Sequence, residues 1–280
     1  CRLGVLFGLY FVSTLINGAV VKVLVTALRS RTAFWDMVWL YNATVLLNYV
    51  PVKFGTIFRA NYLKRHYGLG YTRFAVFFLY MSLLTIAIAT FMGLVALVVF
   101  YSLNDYENKI MAVILATTTT GTLLLLFAPL PTPAGKWRLT KVLREFVLGR
   151  SEISGARKSI SITAVLLIFN VFLAALITWL IYRSLNTYIH PGGCLILGAL
   201  GYVVLLIGVT PGGLGIRELV LSFGATALGV PLEIGVLAAM LDRAVSFGYT
   251  SIVGGVCAVL LWHKSPADFK ETNKNSLTER

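Results

Sequence analysis

Charge is what this sequence has least of. Asp, Glu, Lys and Arg make up 12% of its 280 residues, against about 25% in an ordinary soluble domain. Acidic residues are the scarcer sign, 11 against 24 Lys and Arg, for a formal charge of +13. So little charge beside 58% apolar residues and a mean hydropathy of +0.84 argues against a water-soluble enzyme. It argues equally against a nucleic-acid-binding domain, despite the basic balance, and against collagen-like or disordered chains. Cysteine is scarce too. Cys1, Cys194 and Cys257 have neither the density of a disulfide scaffold nor the spacing of a metal site. The last two sit in apolar runs, where thiols serve as small packing groups. The HExxH and GxxxxGK patterns are missing, and no Ser/His/Asp cluster assembles. His66, His190 and His263 lie far apart at the ends of apolar runs. The residues therefore give no support to catalysis, a metal or a cofactor.

What the sequence does have is long apolar runs. A helix needs about 20 apolar residues to cross the hydrocarbon core of a bilayer. Five runs meet or approach this: Leu3–Leu28, Phe74–Leu103, Ile110–Ala128, Ser159–Tyr182 and Leu232–Trp262. Two more, Phe34–Val50 and Cys194–Val209, stop at Pro51 and Pro211. A shorter helical stretch follows each stop, Gly55–Tyr67 and Gly215–Leu228. Proline cannot continue a helix and the glycines after it relax the backbone, so both segments read as broken or re-entrant. The expected fold is all-α, a polytopic membrane helix bundle of about seven spans including the two broken ones. The start at Cys1 lacks a Met, and the first run is too long and too lightly charged at its start for a signal peptide. An upstream piece is expected.

Residue n laid over residue n+160 brings Pro51 onto Pro211 and Gly55 onto Gly215. The order of span, broken span, short helix and long span then occurs twice. This divides the chain into a first membrane repeat (1–128), a basic linker (129–158), a second repeat (159–263) and a tail (264–280). If the linker is cytoplasmic, sixteen of the 24 Lys and Arg fall on that side. Only Arg2, Lys109 and Arg183 fall outside, and Lys22, Lys53, Arg59, Arg217 and Arg243 lie within or near spans. That bias follows the positive-inside rule. It makes the repeats inverted and the C-terminus cytoplasmic. In the linker, Trp137, Leu139, Val142, Leu143, Phe146 and Val147 recur at helical spacing among Lys136, Arg138, Lys141 and Arg144. This suits either a helix on the inner leaflet or a connector packed on the bundle. Thr117–Thr120 with Gly121 read as a close-packing helix face. Asn42, Asn48 and Asn170 read as amides bonding between helices, and Lys22 as an interface residue.

Paired interruptions in inverted repeats point to a substrate site near the bilayer midplane. A helix N-terminus exposes unpaired N–H groups and about half a positive charge. Helices beginning at Gly55 and Gly215 would face a shared cavity, and Gly212, Gly213 and Gly215 would let a ligand approach the backbone. Lys53, Arg59 and Arg217 flank the breaks. An anionic headgroup, above all a phosphate, is the expected ligand, because the arginine fork matches it. Intramembrane charges are costly, hence paired or functional. Arg217, Glu218, Asp242 and Arg243 form two adjacent pairs in sequence. Neighbours on a helix point about 100° apart, so Arg217 and Glu218 do not simply neutralise each other. Two readings stand: cross-helix pairing, Glu218 with Arg243 or Arg217 with Asp242, or participation in a substrate site. Lys53 and Arg59 have no acidic neighbour, and for them the alternative is snorkelling to the inner interface.

The segments NYVPVKFGTIFRANYLKRHYGL (Asn48–Leu69) and TPGGLGIREL (Thr210–Leu219) resemble the two signature segments of the lysylphosphatidylglycerol synthase transmembrane region, a flippase-like family. LDRAVSFGY (Leu241–Tyr249) resembles the arginine-containing helix that follows. The Pro-Gly-Gly-x-Gly-x-Arg-Glu run is fairly specific; Pro-x-x-x-Gly…Arg alone is weak. The resemblance covers nearly the whole chain and implies one more span at its start. It implicates Pro51, Gly55, Arg59, Pro211, Gly212, Gly213, Gly215, Arg217, Glu218 and Arg243. Lys53 stands where the family often has a small or polar residue. One member joins lysine to phosphatidylglycerol and moves the product across the bilayer. Its aminoacyl transfer resides in a separate soluble domain that these 280 residues do not hold. The resemblance also implies a bacterial or archaeal cytoplasmic membrane.

The leading expectation is translocation of an anionic phospholipid or polyprenyl-phosphate lipid between leaflets. Arg59, Arg217 and Arg243 would hold phosphate, and Glu218 would balance them or meet a cationic headgroup. The alternatives are a membrane module serving an aminoacyl- or glycosyltransferase, and a structural or regulatory protein whose charges merely pair. Membrane lipids are the expected partners. A transferase partner and homo-oligomerisation are left open.

Overall fold

The computed structural model describes residues 2–27, 32–50, 54–101, 105–127, 157–207 and 215–263. All regular structure among them is helical: α1 (Arg2–Ala27), α2 (Phe34–Leu47), α3 (Phe54–Tyr67), α4 (Tyr71–Phe100), α5 (Tyr106–Phe127), α6 (Arg157–Ser184), α7 (Pro191–Ile207), α8 (Ile216–Ala227) and α9 (Leu232–His263). The proposed linker helix as far as residue 156, and the tail, lie outside the described residues. Helices α1, α4, α5, α6 and α9 are long and apolar enough to cross a bilayer. They coincide with the five runs read from sequence. Their exposed faces are apolar at helical spacing: Phe91, Val95 and Val98 on α4, Val165, Phe169 and Phe172 on α6, Ile252, Val256 and Val259 on α9. In water such stripes would be a liability; against lipid tails they are the solvated face. The chain is an integral membrane helix bundle.

The contacts divide the molecule into two units. One holds the described residues of Cys1–Ser13, Tyr80–Leu130 and Ala164–Tyr249. Its core gathers Leu97, Leu115, Cys194, Ile196 and Ala199, all fully buried. Small residues let its helices close up. A Cβ on Gly93 would strike that of Ala199, and one on Gly224 would come within 2.7 Å of Leu200 Cδ1. Thr119 donates to Thr90 Oγ1 at 2.9 Å, joining α5 to α4. Gly121, expected on the same packed face, meets nothing within 4 Å. The other unit holds the described residues of Thr14–Leu79, Pro131–Thr163 and Thr250–Arg280. Val20, Val21, Leu24, Met37, Leu40 and Leu63 are buried there. Gly18 packs against Val38, and Gly254 against the backbone of Asn42.

The helix ends explain where the elements start and stop. The apolar run read from sequence starts at Cys194. The helix begins three residues earlier. Pro191 takes the first helical position, where its missing N–H costs nothing, and His190 Nδ1 accepts the Gly192 N–H at 3.1 Å. Both short helices end alike. Gly68 and Gly229 take positive φ (68° and 85°), conformations that strain any side chain. The next residues, Leu69 and Val230, bond back to the carbonyls of Leu63 and Ala225 at 3.2 and 3.0 Å and are buried.

Candidate functional site

Each interrupted segment folds into an antiparallel helical hairpin. In the first, α3 returns along α2. At the open end the Tyr67 hydroxyl donates to Asp36 Oδ2 at 2.8 Å. At the closed end the backbone N–H of Thr56 donates to Asn48 Oδ1 at 3.2 Å. Asn48 thus caps the N-terminus of α3 with a neutral amide, which brings no charge to its dipole. Gly55 is where the arms touch. A Cβ there would collide with the carbonyl oxygen of Thr44 and lie 2.7 Å from Asn48 Oδ1.

One turn beyond Gly55, Arg59 is 2% exposed. Its guanidinium lies 5.8 Å from the Tyr41 ring centroid, a cation–π contact. Its Nε and Nη2 find no hydrogen-bond partner among the described residues. Buried polar groups are nearly always paired, and a buried cation left unpaired costs several kcal/mol. Arg59 does not snorkel; it is held inside. Lys22, expected near an interface, lies with Nζ 5.9 Å from the Phe34 ring centroid.

The second hairpin lies in the other unit. Gly193 packs on Leu228, Gly224 on Leu200 and Leu197, and Gly201 on Leu221 and Arg217, so α7 and α8 run antiparallel. Here the N-terminus is closed by charge. Glu218 Oε2 accepts the Gly215 N–H at 2.7 Å, and Glu218 Oε1 accepts from Arg243 Nη1 of α9 at 2.8 Å. At the adjacent position on α9, Asp242 Oδ2 meets Arg217 Nη2 at 3.0 Å. Both cross-helix pairs weighed from sequence are present together.

Sequence reasoning missed what surrounds them. Tyr10 of α1 donates to Asp242 Oδ1 at 2.6 Å. Its ring stacks on Tyr249 at 5.8 Å. Ser13 donates to Asn170 Oδ1 at 2.8 Å, and Asn170 Nδ2 reaches the Tyr202 hydroxyl at 3.4 Å. Asn170 and Asn48 therefore do join helices. The Asn42 side chain instead donates to Val38 of its own helix at 2.9 Å. A tyrosine in an apolar run carries no sign of a partner 232 positions away. Of the expected site residues, Gly55 and Arg59 meet in one hairpin. Gly215, Arg217, Glu218, Asp242 and Arg243 meet around the other. Pro51, Lys53, Pro211, Gly212 and Gly213 lie outside the described residues.

The two hairpins are thus electrostatically unlike. One offers a neutral cap and a buried arginine with two nitrogens unpaired among the described residues. The other offers a carboxylate cap and two closed ion pairs, with no net charge among the four groups. The first can receive an anion as it stands; the second has to exchange a partner first.

No solved structure matches the chain. A stretch of 79 residues, 28% of this chain, is 37% identical to the UPF0104 membrane protein PH1989 of Pyrococcus horikoshii and spans 24% of that protein's length. The family described as the lysylphosphatidylglycerol synthase TM region matches residues 2–254, nearly all of the ordered helices described above. With its broken segments folded as hairpins and Arg59, Arg217 and Arg243 at them, this chain belongs to that family.

Proposed function

We propose that this protein binds the anionic headgroup of a phospholipid or polyprenyl-phosphate lipid and moves that lipid between leaflets. The observation that carries the reading is Arg59, buried, with two guanidinium nitrogens unpartnered among the described residues, one turn from a neutrally capped helix N-terminus. A phosphate would satisfy both donors and the dipole at once. The Lys and Arg bias and the two hairpins support a topology of inverted repeats, with hairpins entering from opposite sides and the C-terminus cytoplasmic. The matching glycine ends at Gly68 and Gly229 support the repeat. The membrane is the cell membrane of a bacterium or archaeon. In this reading the chain is a lipid carrier and not an enzyme. It needs no cofactor, and its driving force is a gradient or a partner.

Leaflet-resolved movement of a fluorescent anionic lipid in proteoliposomes tests it. Arg59→Gln is expected to slow transport about tenfold or more, the loss of a charge-assisted pair. Arg59→Lys is expected to retain part of the rate. Full transport by a folded Arg59→Gln protein, or none by the parent, overturns the reading. The family's description favours a second reading, a module that presents lipid to a transferase. That reading expects a transferase to co-purify and the chain alone to move nothing.

A further inference from the structure

We infer that Asp242 is a proton-binding carboxylate whose protonation is coupled to anion binding at Arg217. This rests on the reading that the chain takes up an anionic lipid. It arises from a difference between the two ion pairs that their distances do not reveal. Each carboxylate spends one oxygen on an arginine and the other on a second partner, and the second partners are not alike. Glu218 Oε2 is held by the backbone N–H of Gly215, a group that can only donate. Asp242 Oδ1 is held by the hydroxyl of Tyr10, which can donate or accept. A proton on Glu218 Oε2 would point at another hydrogen. A proton on Asp242 Oδ1 needs only that the Tyr10 hydroxyl turn, so that Asp242 donates and Tyr10 accepts. Ser246, close to Tyr10, spends its own hydrogen on the Arg243 carbonyl at 3.0 Å, so its oxygen can take the hydrogen Tyr10 turns away.

Exposure distinguishes the pairs in the same direction. The Arg217 side chain is 35% exposed, that of Arg243 only 13%. Arg217–Asp242 is the pair that a ligand can reach, and Glu218–Arg243 is the one that holds the helix start. The charges then balance. The two arginines and two carboxylates sum to zero, and a phosphodiester brought to Arg217 adds one negative charge inside the membrane, which is costly uncompensated. One proton from water on Asp242 restores neutrality and frees the Arg217 fork for the phosphate. No bond but that O–H is made, and the proton leaves when the lipid leaves. The groups that face Asp242 are Tyr10 of α1, Tyr182 of α6 and Arg217 of α8. Arg243 is its neighbour on α9, paired with Glu218, while Tyr202 of α7 faces Arg217.

The sign follows. At high pH ionised Asp242 competes with the lipid for Arg217; at low pH it does not. Binding to the purified full chain of a short-chain phosphatidylglycerol, whose phosphodiester stays ionised, is expected to tighten as pH falls, by at most about tenfold per unit. A pH indicator in weak buffer is expected to record uptake of about one proton per lipid bound where that dependence is steepest. Asp242→Asn is expected to bind without pH dependence or proton uptake, and Glu233→Gln, which removes an exposed carboxylate from the first turn of α9 outside the four groups, to keep both. Should Asp242→Asn fail to fold, the proton count on the parent and the Glu233→Gln profile decide. Binding by the parent that is flat with pH and takes up no proton overturns the coupling while leaving lipid binding intact, as does loss of coupling in Glu233→Gln. A parent that binds no lipid at any pH overturns both.

Discussion

Tyr10 and Asp242, 232 positions apart, share a hydrogen bond of 2.6 Å, and the other oxygen of that carboxylate holds Arg217 at 3.0 Å. One side chain of α9 therefore ties down α1 and α8 together. Tyr10→Phe keeps the ring that stacks on Tyr249 and removes only the hydroxyl. A hydrogen bond to a charged group contributes about 1.5–3 kcal/mol. Thermal unfolding in detergent is expected to show a loss within that range.

Glu218 has two tasks, and two substitutions separate them. Glu218→Gln keeps an oxygen for the Gly215 N–H and gives up the charge that holds Arg243. Glu218→Ala gives up both. Stability is expected to fall in the order parent, Gln, Ala, with the last step costing about 0.5–2 kcal/mol, the usual worth of an N-cap. Equal losses in the two variants would mean that the cap contributes nothing.

Arg217 and Asp242 are in contact, so their substitutions should not add. A cycle of Arg217→Gln, Asp242→Asn and the double variant is expected to give a coupling of about 0.5–3 kcal/mol, the range for contacting residues. The lower half is expected, since the arginine side chain is 35% exposed. Additivity within error would show that the pair contributes no net stability.

Gly55 and Gly121 make a matched test of helix packing. A methyl group on Gly55 runs into the Thr44 carbonyl, which is backbone and cannot swing aside. Gly55→Ala is expected to cost about 1–3 kcal/mol or more by overpacking. At Gly121 the added methyl meets nothing, so Gly121→Ala is expected to be neutral or to gain up to about 1 kcal/mol of helix propensity.

The spans were legible because a bilayer asks one simple thing of a sequence, an apolar run of sufficient length. The five runs read from composition match α1, α4, α5, α6 and α9 to within a few residues. Pro51 and Pro211 likewise announced the hairpins. The start of α7 was not legible, because proline and glycine both interrupt and initiate helices, and only the His190 contact distinguishes the two. The two cross-helix pairs were foreseen as alternatives, and the structure contains both. That Arg59 has no acidic neighbour was legible. That its side chain is buried was not, because the residues that cover it are brought there by the fold. Tyr10 sits among residues as apolar as any in α1, and its role exists only in three dimensions.

For the lipid movement proposed above, the length of the first hairpin has a consequence. Fourteen helical residues reach about 21 Å, whereas the oily layer is about 30 Å deep. An arm that dipped in and turned back would carry its polar end most of the way through without ever emerging. A charged headgroup that travels down it would then face bare hydrocarbon over only the last third or so of the journey. The barrier that keeps leaflets distinct would be shortened from one face.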